Sequence, residues 1–273
     1  MSLISTLVSR EIHLWLAFYD DIEDERLHRA YRALLSAGER AQELRFYFSR
    51  DRRRYLVTRA LVRTVLSRYA HVEPRDWLFS TGPHGRPEIA NVATKESGLS
   101  FNLSHTHALI VLAVAVRRAV GVDVENIRHQ DISIETANRF FAPAEVTALA
   151  AVPRHRQKDR FFEYWTFKES YIKARGMGLS LPLDEFSFQY PSNRSVCLSI
   201  EPRLGDDPAR WEFWQFRPTP DYLLALCAER RDATRPAIVV RQIVPLRNEA
   251  PLVLEPLRTS PRGISDDRRA VVG

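Results

Sequence analysis

Lysine is nearly missing from this chain. Of 40 basic residues in 273, only Lys95, Lys158, Lys168 and Lys173 are lysines, and the rest are arginines. Cysteine is as scarce: Cys197 and Cys227 are the whole supply. That excludes a disulfide framework and any cysteine metal cluster, and it predicts a reducing, cytoplasmic setting. Long apolar runs are also absent. The start "MSLISTLVSREIHLWLAFYDD" lacks a basic leader followed by a sustained apolar stretch, and no later segment reaches the roughly 20 residues that span a bilayer. The expectation is a soluble protein without a membrane partner.

What is present is ordinary globular composition, 45% apolar and 27% charged, with length enough for one large domain or two small ones around a sizeable core. The net charge of +6 and pI near 9.5 fit an anionic partner: nucleic acid, phosphates or an acidic protein. They fit an arginine-rich solvated surface equally well. Two of the four lysines stand within six residues of each other in "WTFKESYIKARG", on either side of Glu169. A compact ammonium there would serve where a flat guanidinium does not fit.

Apolar periodicity predicts helices over 26–48, 51–70, 133–141, 143–151 and 155–175, the last closed by Gly176. "STGPHGRPEI" reads as a turn region. "LSFNLSH" and "ALIVLAVAV" read as strands, the second turning through "RRAV" into "GVDVENI" as a hairpin. "EFSFQY", "SVCLSIE", "WEFWQFR" and "DYLLALCAE" read as further strands. From Arg231 onward Pro, Arg and small polar residues dominate, and a disordered tail is expected from about Thr259. A long helix, a glycine-containing loop and strands recur in each half. A duplicated unit would have its seam near 117–120 and its site in the cleft between halves.

In "GVDVEN", Asp123 and Glu125 are two apart, on one face of a strand whose Val122 and Val124 point the other way. A solvated strand end and a Mg²⁺ site both fit such a pair. Glu169 shares a helix face with Lys173, one turn on. Phe161, Phe162, Tyr164, Trp165, Phe167, Tyr171 and Ile172 make that helix apolar around much of its circumference, so its charges should line a cleft or find partners. "FNLSHTHA" places Ser104 and His105 at a strand end. Adjacent strand residues face opposite ways, so phosphate contacts suit them better than a nucleophile–base pair.

"GVDVEN", followed about 40 residues later by "FFEYWTFKESYIKARGMGLSLPLDEFSF", resembles the paired signature of 4′-phosphopantetheinyl transferases, with "GRPEI" and "FNLSHT" upstream. The match runs from about Glu11 to Glu229, and length and layout resemble the larger, single-chain Sfp-type branch. The resemblance implies an α+β, pseudo-duplicated two-subdomain fold, with residues 1–117 as the N-terminal half, 118–258 as the C-terminal half and 259–273 as the tail. It implies transfer of the 4′-phosphopantetheine arm of coenzyme A to a serine of an apo acyl or peptidyl carrier protein, releasing adenosine 3′,5′-bisphosphate. It implies Mg²⁺, with Mn²⁺ as a substitute, held by Asp123, Glu125 and Glu169. Glu169 would also be the base toward the serine, with Asp123 and Lys173 completing the catalytic set. Lys168 and Lys173 would contact phosphates, Ser104 and His105 would hold coenzyme A phosphates, and Gly85 and Arg86 the nucleotide end. Arg86 departs from the Lys common in the family. Glu39 and Gln42 stand where some relatives have Lys; Arg40, Arg45 and Arg54 are the candidates to meet the 3′-phosphate in their place, with Arg54 the best positioned. The expected partner is an acidic carrier domain and the expected state a monomer. Two other readings are an inactive carrier-binding scaffold, disfavoured by the intact acids and Lys173, and a nucleic-acid-binding protein, disfavoured because no recognised nucleic-acid motif is present.

Overall fold

The computed structural model describes residues 10–128, 134–231 and 234–261. In chain order the elements are β1 (Glu11–Phe18), α1 (Glu25–Leu34), α2 (Ala37–Leu44), α3 (Ser49–Leu66), β2 (Phe79–Thr81), β3 (Pro87–Ile89), β4 (Leu99–His105), β5 (Leu109–Val116) and β6 (Val120–Asn126). There follow α4 (Ile134–Phe140), α5 (Pro143–Ala150), α6 (Arg154–Arg175), β7 (Phe186–Ser192), β8 (Ser195–Ile200), β9 (Trp211–Phe216), β10 (Tyr222–Glu229), β11 (Ala237–Val244), β12 (Asn248–Pro251) and β13 (Arg258–Thr259).

Two sheets carry the architecture. One has the order β12-β11-β1-β5-β4 and the other β6-β10-β9-β13-β8-β7. Their inner faces pack on each other. Ile12, Leu14 and Leu16 of β1 and Val111 and Ala113 of β5 meet Val120, Val122 and Val124 of β6 and Leu224 and Leu226 of β10 in one buried cluster. The alternate residues face outward to helices: Trp15, Ile110 and Leu112 toward α1 and α3, and Leu223, Ala225 and Cys227 toward α6. Strands buried on both faces need apolar residues at every position, which is why β5 and β10 read as unbroken apolar runs. Helix, sheet, sheet, helix is thus the layer order, one helix–sheet pair to each half.

Several expectations change. β5 and β6 do not form a hairpin: β5 pairs with β1 and β4, β6 with β10, and the chain steps between sheets at Arg117, whose φ is +50°. The helix expected over 26–48 is broken at Leu35, because Ser36 and Glu39 form a reciprocal capping box that starts α2. The region after Arg231 is not irregular. The β-branched run of β11 pairs in parallel with β1, so residues 237–251, assigned by sequence to the second half, complete the first half's sheet. The tail does not begin at Thr259. β13 lies between β8 and β9, and the Ser260 hydroxyl accepts from Phe213 N at 2.9 Å; residues 262–273 lie outside the described residues. Among the described residues no helix is long and apolar enough to cross a membrane.

Candidate active site

The site forms where β6 touches α6. Gly121 is the reason they can touch: a Cβ there would lie 2.1 Å from Ser170 O and 2.3 Å from Ala174 N. Backbone rests on backbone, with no side chain between them. Asp123 follows two residues later on the same face of β6, only 4% exposed. Glu169 and Lys173, flanking Ser170 and Ala174 on α6, are thereby carried to it. Lys173 Nζ donates to Asp123 Oδ1 at 2.7 Å and to Ser104 Oγ at 3.0 Å, and Ser104 Oγ donates to the same Asp123 oxygen at 2.9 Å. Pro153 precedes α6 and Gly176 ends it with φ +68°, its N–H reaching Ile172 O at 3.0 Å. Gly121→Ala is expected to push α6 off β6 and to cost about 3 kcal/mol or more of stability, the scale of severe overpacking. Equal urea midpoints for variant and wild type would show that the two backbones do not meet this closely.

β4 joins β6 across the two sheets without a backbone ladder. Asn102, Ser104 and Thr106 alternate along one side of β4, and each side chain accepts a β6 backbone N–H: Val122 N to Asn102 Oδ1 at 2.8 Å, Val124 N to Ser104 Oγ at 3.3 Å, Asn126 N to Thr106 Oγ1 at 3.1 Å. The polar alternation in "NLSHT" is a seam that satisfies the free edge of β6. Ser104, expected at a phosphate, is engaged within the protein here. Its one proton goes to Asp123 and its two lone pairs to Val124 N and Lys173.

The electrostatics single out Glu169. Burial first, and the nearby Asp123 carboxylate second, push its pKa up to about 7, against the pull of Lys173. Asp123 Oδ2 is buried with no hydrogen-bond partner. A buried carboxylate oxygen left without a donor is costly and suits a hard cation, so the donor chemistry of Asp123 with Glu169 fits Mg²⁺. The three-acid set expected from sequence is not gathered ready-made: among the described residues no group of three or more His, Cys, Asp or Glu could hold a metal ion. The Lys173 ammonium is bonded to Asp123 Oδ1 instead, and Glu125 takes a hydrogen bond from Thr106 Oγ1 at 3.4 Å.

The remaining expected residues divide. Gly85 and Arg86 line a cavity of about 260 Å³ together with Asn102, Glu169 and Lys173. Arg86 spends two donors on carbonyls, Nη1 to Lys173 O at 3.1 Å and Nη2 to Phe101 O at 3.3 Å, so it fastens the end of α6 to β4. His105 reaches solvent at the end of β4, yet protein crowds much of its ring. That partial burial, then the charge of Arg54, and also that of Lys173, lower its pKa below 6.5. Arg54 itself pairs with Asp51 at 3.2 Å.

Lys168 is not in the cleft. It is fully buried, and its three donors go to Glu145 Oε2 at 2.8 Å, Leu183 O at 2.7 Å and Phe186 O at 2.6 Å. Helix geometry turns it about 100° from Glu169, toward α5 and β7, so it has no donor left for a phosphate. Glu145, equally buried, also accepts from Phe188 N at 2.8 Å and Ala142 N at 3.1 Å. Burial pulls the Lys168 pKa down and the Glu145 pKa up, each opposed by the other's charge. Removing one partner strands the other, so Lys168→Met is expected to cost about 3–5 kcal/mol, while Lys168→Met with Glu145→Gln, which removes the stranded charge and keeps an acceptor for Phe188 N, recovers part of it. Urea unfolding of the single and double variants checks this; a double variant no more stable than the single one would contradict the pairing. Glu145, Gly121, Asn102 and Thr106 went unread in the sequence. The glycine two residues before Asp123 and the polar alternation of β4 were the signals available.

Known proteins resemble both halves. A model described as "4'-phosphopantetheinyl transferase, N-terminal" matches residues 23–117, and one described as "4'-phosphopantetheinyl transferase superfamily" matches 119–227. The chain is similar to 4′-phosphopantetheinyl transferase HetI of Nostoc sp., 39% identical over 64% of this chain and 73% of the relative. It is similar also to 4′-phosphopantetheinyl transferase Sfp of Bacillus subtilis, 35% identical over 77% and 87% respectively. Among solved structures, Thermotoga maritima holo-[acyl-carrier-protein] synthase overlaps 42% of this chain and 64% of its own at 19% identity, with a TM-score of 0.34, too little to bear on the argument. With each half matched by its own model and relatives aligned over most of the chain, this protein belongs to the 4′-phosphopantetheinyl transferase superfamily, as a single-chain, two-half enzyme of the Sfp type.

Proposed function

We propose that the chain moves 4′-phosphopantetheine from coenzyme A to a serine hydroxyl of an apo acyl or peptidyl carrier protein, releasing adenosine 3′,5′-bisphosphate. The observation that carries this reading is a half-buried carboxyl poised near neutrality, Glu169, on the wall of a cavity it shares with Lys173, Gly85 and Arg86. A base that titrates near the working pH is the efficient one for taking a hydroxyl proton. As the serine oxygen bonds to the phosphorus of the phosphopantetheine phosphate, its proton passes to Glu169. The P–O bond to the nucleotide breaks and its electron pair stays on the departing phosphate. Lys173 has one donor beyond those given to Asp123 and Ser104, and it balances charge on that oxygen. Mg²⁺, with Mn²⁺ as a substitute, would be held by Asp123, Glu125 and Glu169 and would supply charge neutralisation of the pyrophosphate. Arg54 adds positive potential beside His105, at the mouth of the site. The net charge of +6 would steer an acidic carrier toward it, and a monomer in the cytoplasm is sufficient for the reaction.

Intact-mass measurement of an apo carrier incubated with coenzyme A, with Mg²⁺ and with chelator, tests the reading. A gain of one phosphopantetheine that needs the divalent ion is expected, and no gain under either condition would refute it. Lys173→Arg keeps the charge but brings a larger, planar group to a contact of 2.7 Å with Asp123. A displacement of about 1 Å at a reacting centre can cost roughly a hundredfold in rate, so kcat should fall by about that factor with the unfolding midpoint nearly unchanged. Lys158→Arg, outside the site, should be silent; equal turnover for both variants would contradict a phosphate role for Lys173.

A further inference from the structure

Three of the eight large apolar side chains most exposed among the described residues fall within five positions: Leu44, Tyr47 and Phe48, at 72%, 90% and 65% exposure. They stand at the turn between α2 and α3. The Tyr47 and Phe48 rings meet edge to face with centroids 5.1 Å apart, so they form one knob. Its base is anchored. Phe46 packs on Tyr55 at 5.3 Å, and Arg52 Nη2 donates to Phe46 O at 3.1 Å. Phe48 is the N-cap of α3 and provides no side-chain cap, where Ser, Thr, Asp or Asn is the usual choice. Stability does not account for a phenylalanine at that position. A local rule broken without structural gain marks a surface kept for contact.

The rim is basic. Residues 39–54 hold Arg40, Arg45, Arg50, Arg52, Arg53 and Arg54 against Glu39, Glu43 and Asp51. All three acids are already engaged, Glu39 by Arg59 and Arg63, Glu43 by Arg32 and Asp51 by Arg54. Arg40, Arg45 and Arg50 are exposed. The knob is also close to the chemistry: Arg54, whose charge acts on His105, lies six residues along α3 from Phe48, about 9 Å of helix axis. An ordinary interface of about 800 Å² per partner is about 30 Å across, wide enough to cover the knob and the mouth of the site together.

We propose that Leu44, Tyr47 and Phe48, rimmed by Arg40, Arg45 and Arg50, are the docking surface for the apo carrier domain, an acidic partner presenting apolar side chains beside its acceptor serine. This rests on the transfer reaction proposed above.

The test is steady-state transfer from coenzyme A to two purified apo carriers, one from fatty-acid synthesis and one from nonribosomal peptide synthesis. Tyr47→Ser with Phe48→Ser is expected to raise the KM for the carrier about tenfold or more, as loss of aromatic hot spots does, leaving kcat, the KM for coenzyme A and the unfolding midpoint unchanged. Arg45→Glu with Arg50→Glu is expected to lower kcat/KM for the carrier and to flatten its dependence on ionic strength. An unchanged KM for the carrier in both double variants, while wild type transfers normally, overturns the docking proposal alone. So does a wild-type dimer in sedimentation that Tyr47→Ser with Phe48→Ser dissociates without changing the carrier KM, which would make a second copy the occupant. A wild type that loads neither carrier overturns the transfer reading, and the docking proposal with it.

Discussion

Glu169→Gln is expected to abolish transfer and, in metal-free protein, to stabilise the fold above neutral pH. The activity loss follows from removing the carboxylate proposed as the base, on the order of 10³ in kcat. The stability gain follows from linkage. The folded pKa of Glu169 is raised from 4.5 to about 7, so the native state holds this proton more tightly than the unfolded chain does. The stability due to the protonated form is therefore fully present below about pH 4.5 and is lost as pH rises toward 7. Above that both states are ionised and the penalty stays constant, at most about 3 kcal/mol for a shift of this size. Glutamine cannot ionise and escapes the penalty. In chelator, urea unfolding at pH 8 should show the variant about 2 kcal/mol more stable than wild type, and at pH 4 the two should coincide. Added Mg²⁺ should then stabilise the wild type more than the variant. A variant no more stable at pH 8 would mean that the half-buried carboxylate carries no such cost.

Asp123→Ala is expected to lower transfer by a similar order, about 10³, through loss of the proposed metal-ligand oxygen and of the anchor that holds Lys173. The effect on stability should be small for a residue so buried, because two changes oppose each other. Lys173 and Ser104 lose their acceptor at 2.7 Å and 2.9 Å, and the unpartnered Oδ2 disappears with it. Glu169 also loses the second of the two influences that raise its pKa. The acid limb of the residual pH–rate profile should therefore move to lower pH in Asp123→Asn, which keeps the shape and removes the charge. A profile that stays in place would show that Asp123 and Glu169 are not electrostatically coupled. Wild-type rates for Asp123→Ala would remove it from the site altogether.

Much of the site was legible because its chemistry is written in short, local strings. The i, i+2 spacing of Asp123 and Glu125 and the i, i+4 spacing of Glu169 and Lys173 place each pair on one face of its own element, whatever the rest of the fold does. What those strings do not contain is direction relative to other elements. Lys168 stands beside Glu169 in sequence and faces away from it in space, against Glu145 of α5. Ser104 reads as a phosphate contact, yet its hydroxyl is engaged by Asp123 and Val124 of β6 and by Lys173 of α6. The expected β5–β6 hairpin failed for a related reason: two adjacent apolar runs with a short link fit a hairpin and fit a step between stacked sheets, and local pattern does not tell them apart.

By itself the sequence determined the type of strands β4–β10 and of most helices, the closing of α6 at Gly176 and the family, since each depends on periodicity, capping or a motif held within a few dozen residues. Only the tertiary structure decided that residues 237–244 return to pair with β1, more than 200 positions away. It alone decided which of the two clustered lysines meets Asp123 and which is buried in the core. Those outcomes depend on how β6 and α6 pack at Gly121 and on which polar groups are already satisfied once they do. Burial and hydrogen-bond saturation belong to the assembled chain, and no stretch of residues carries them alone.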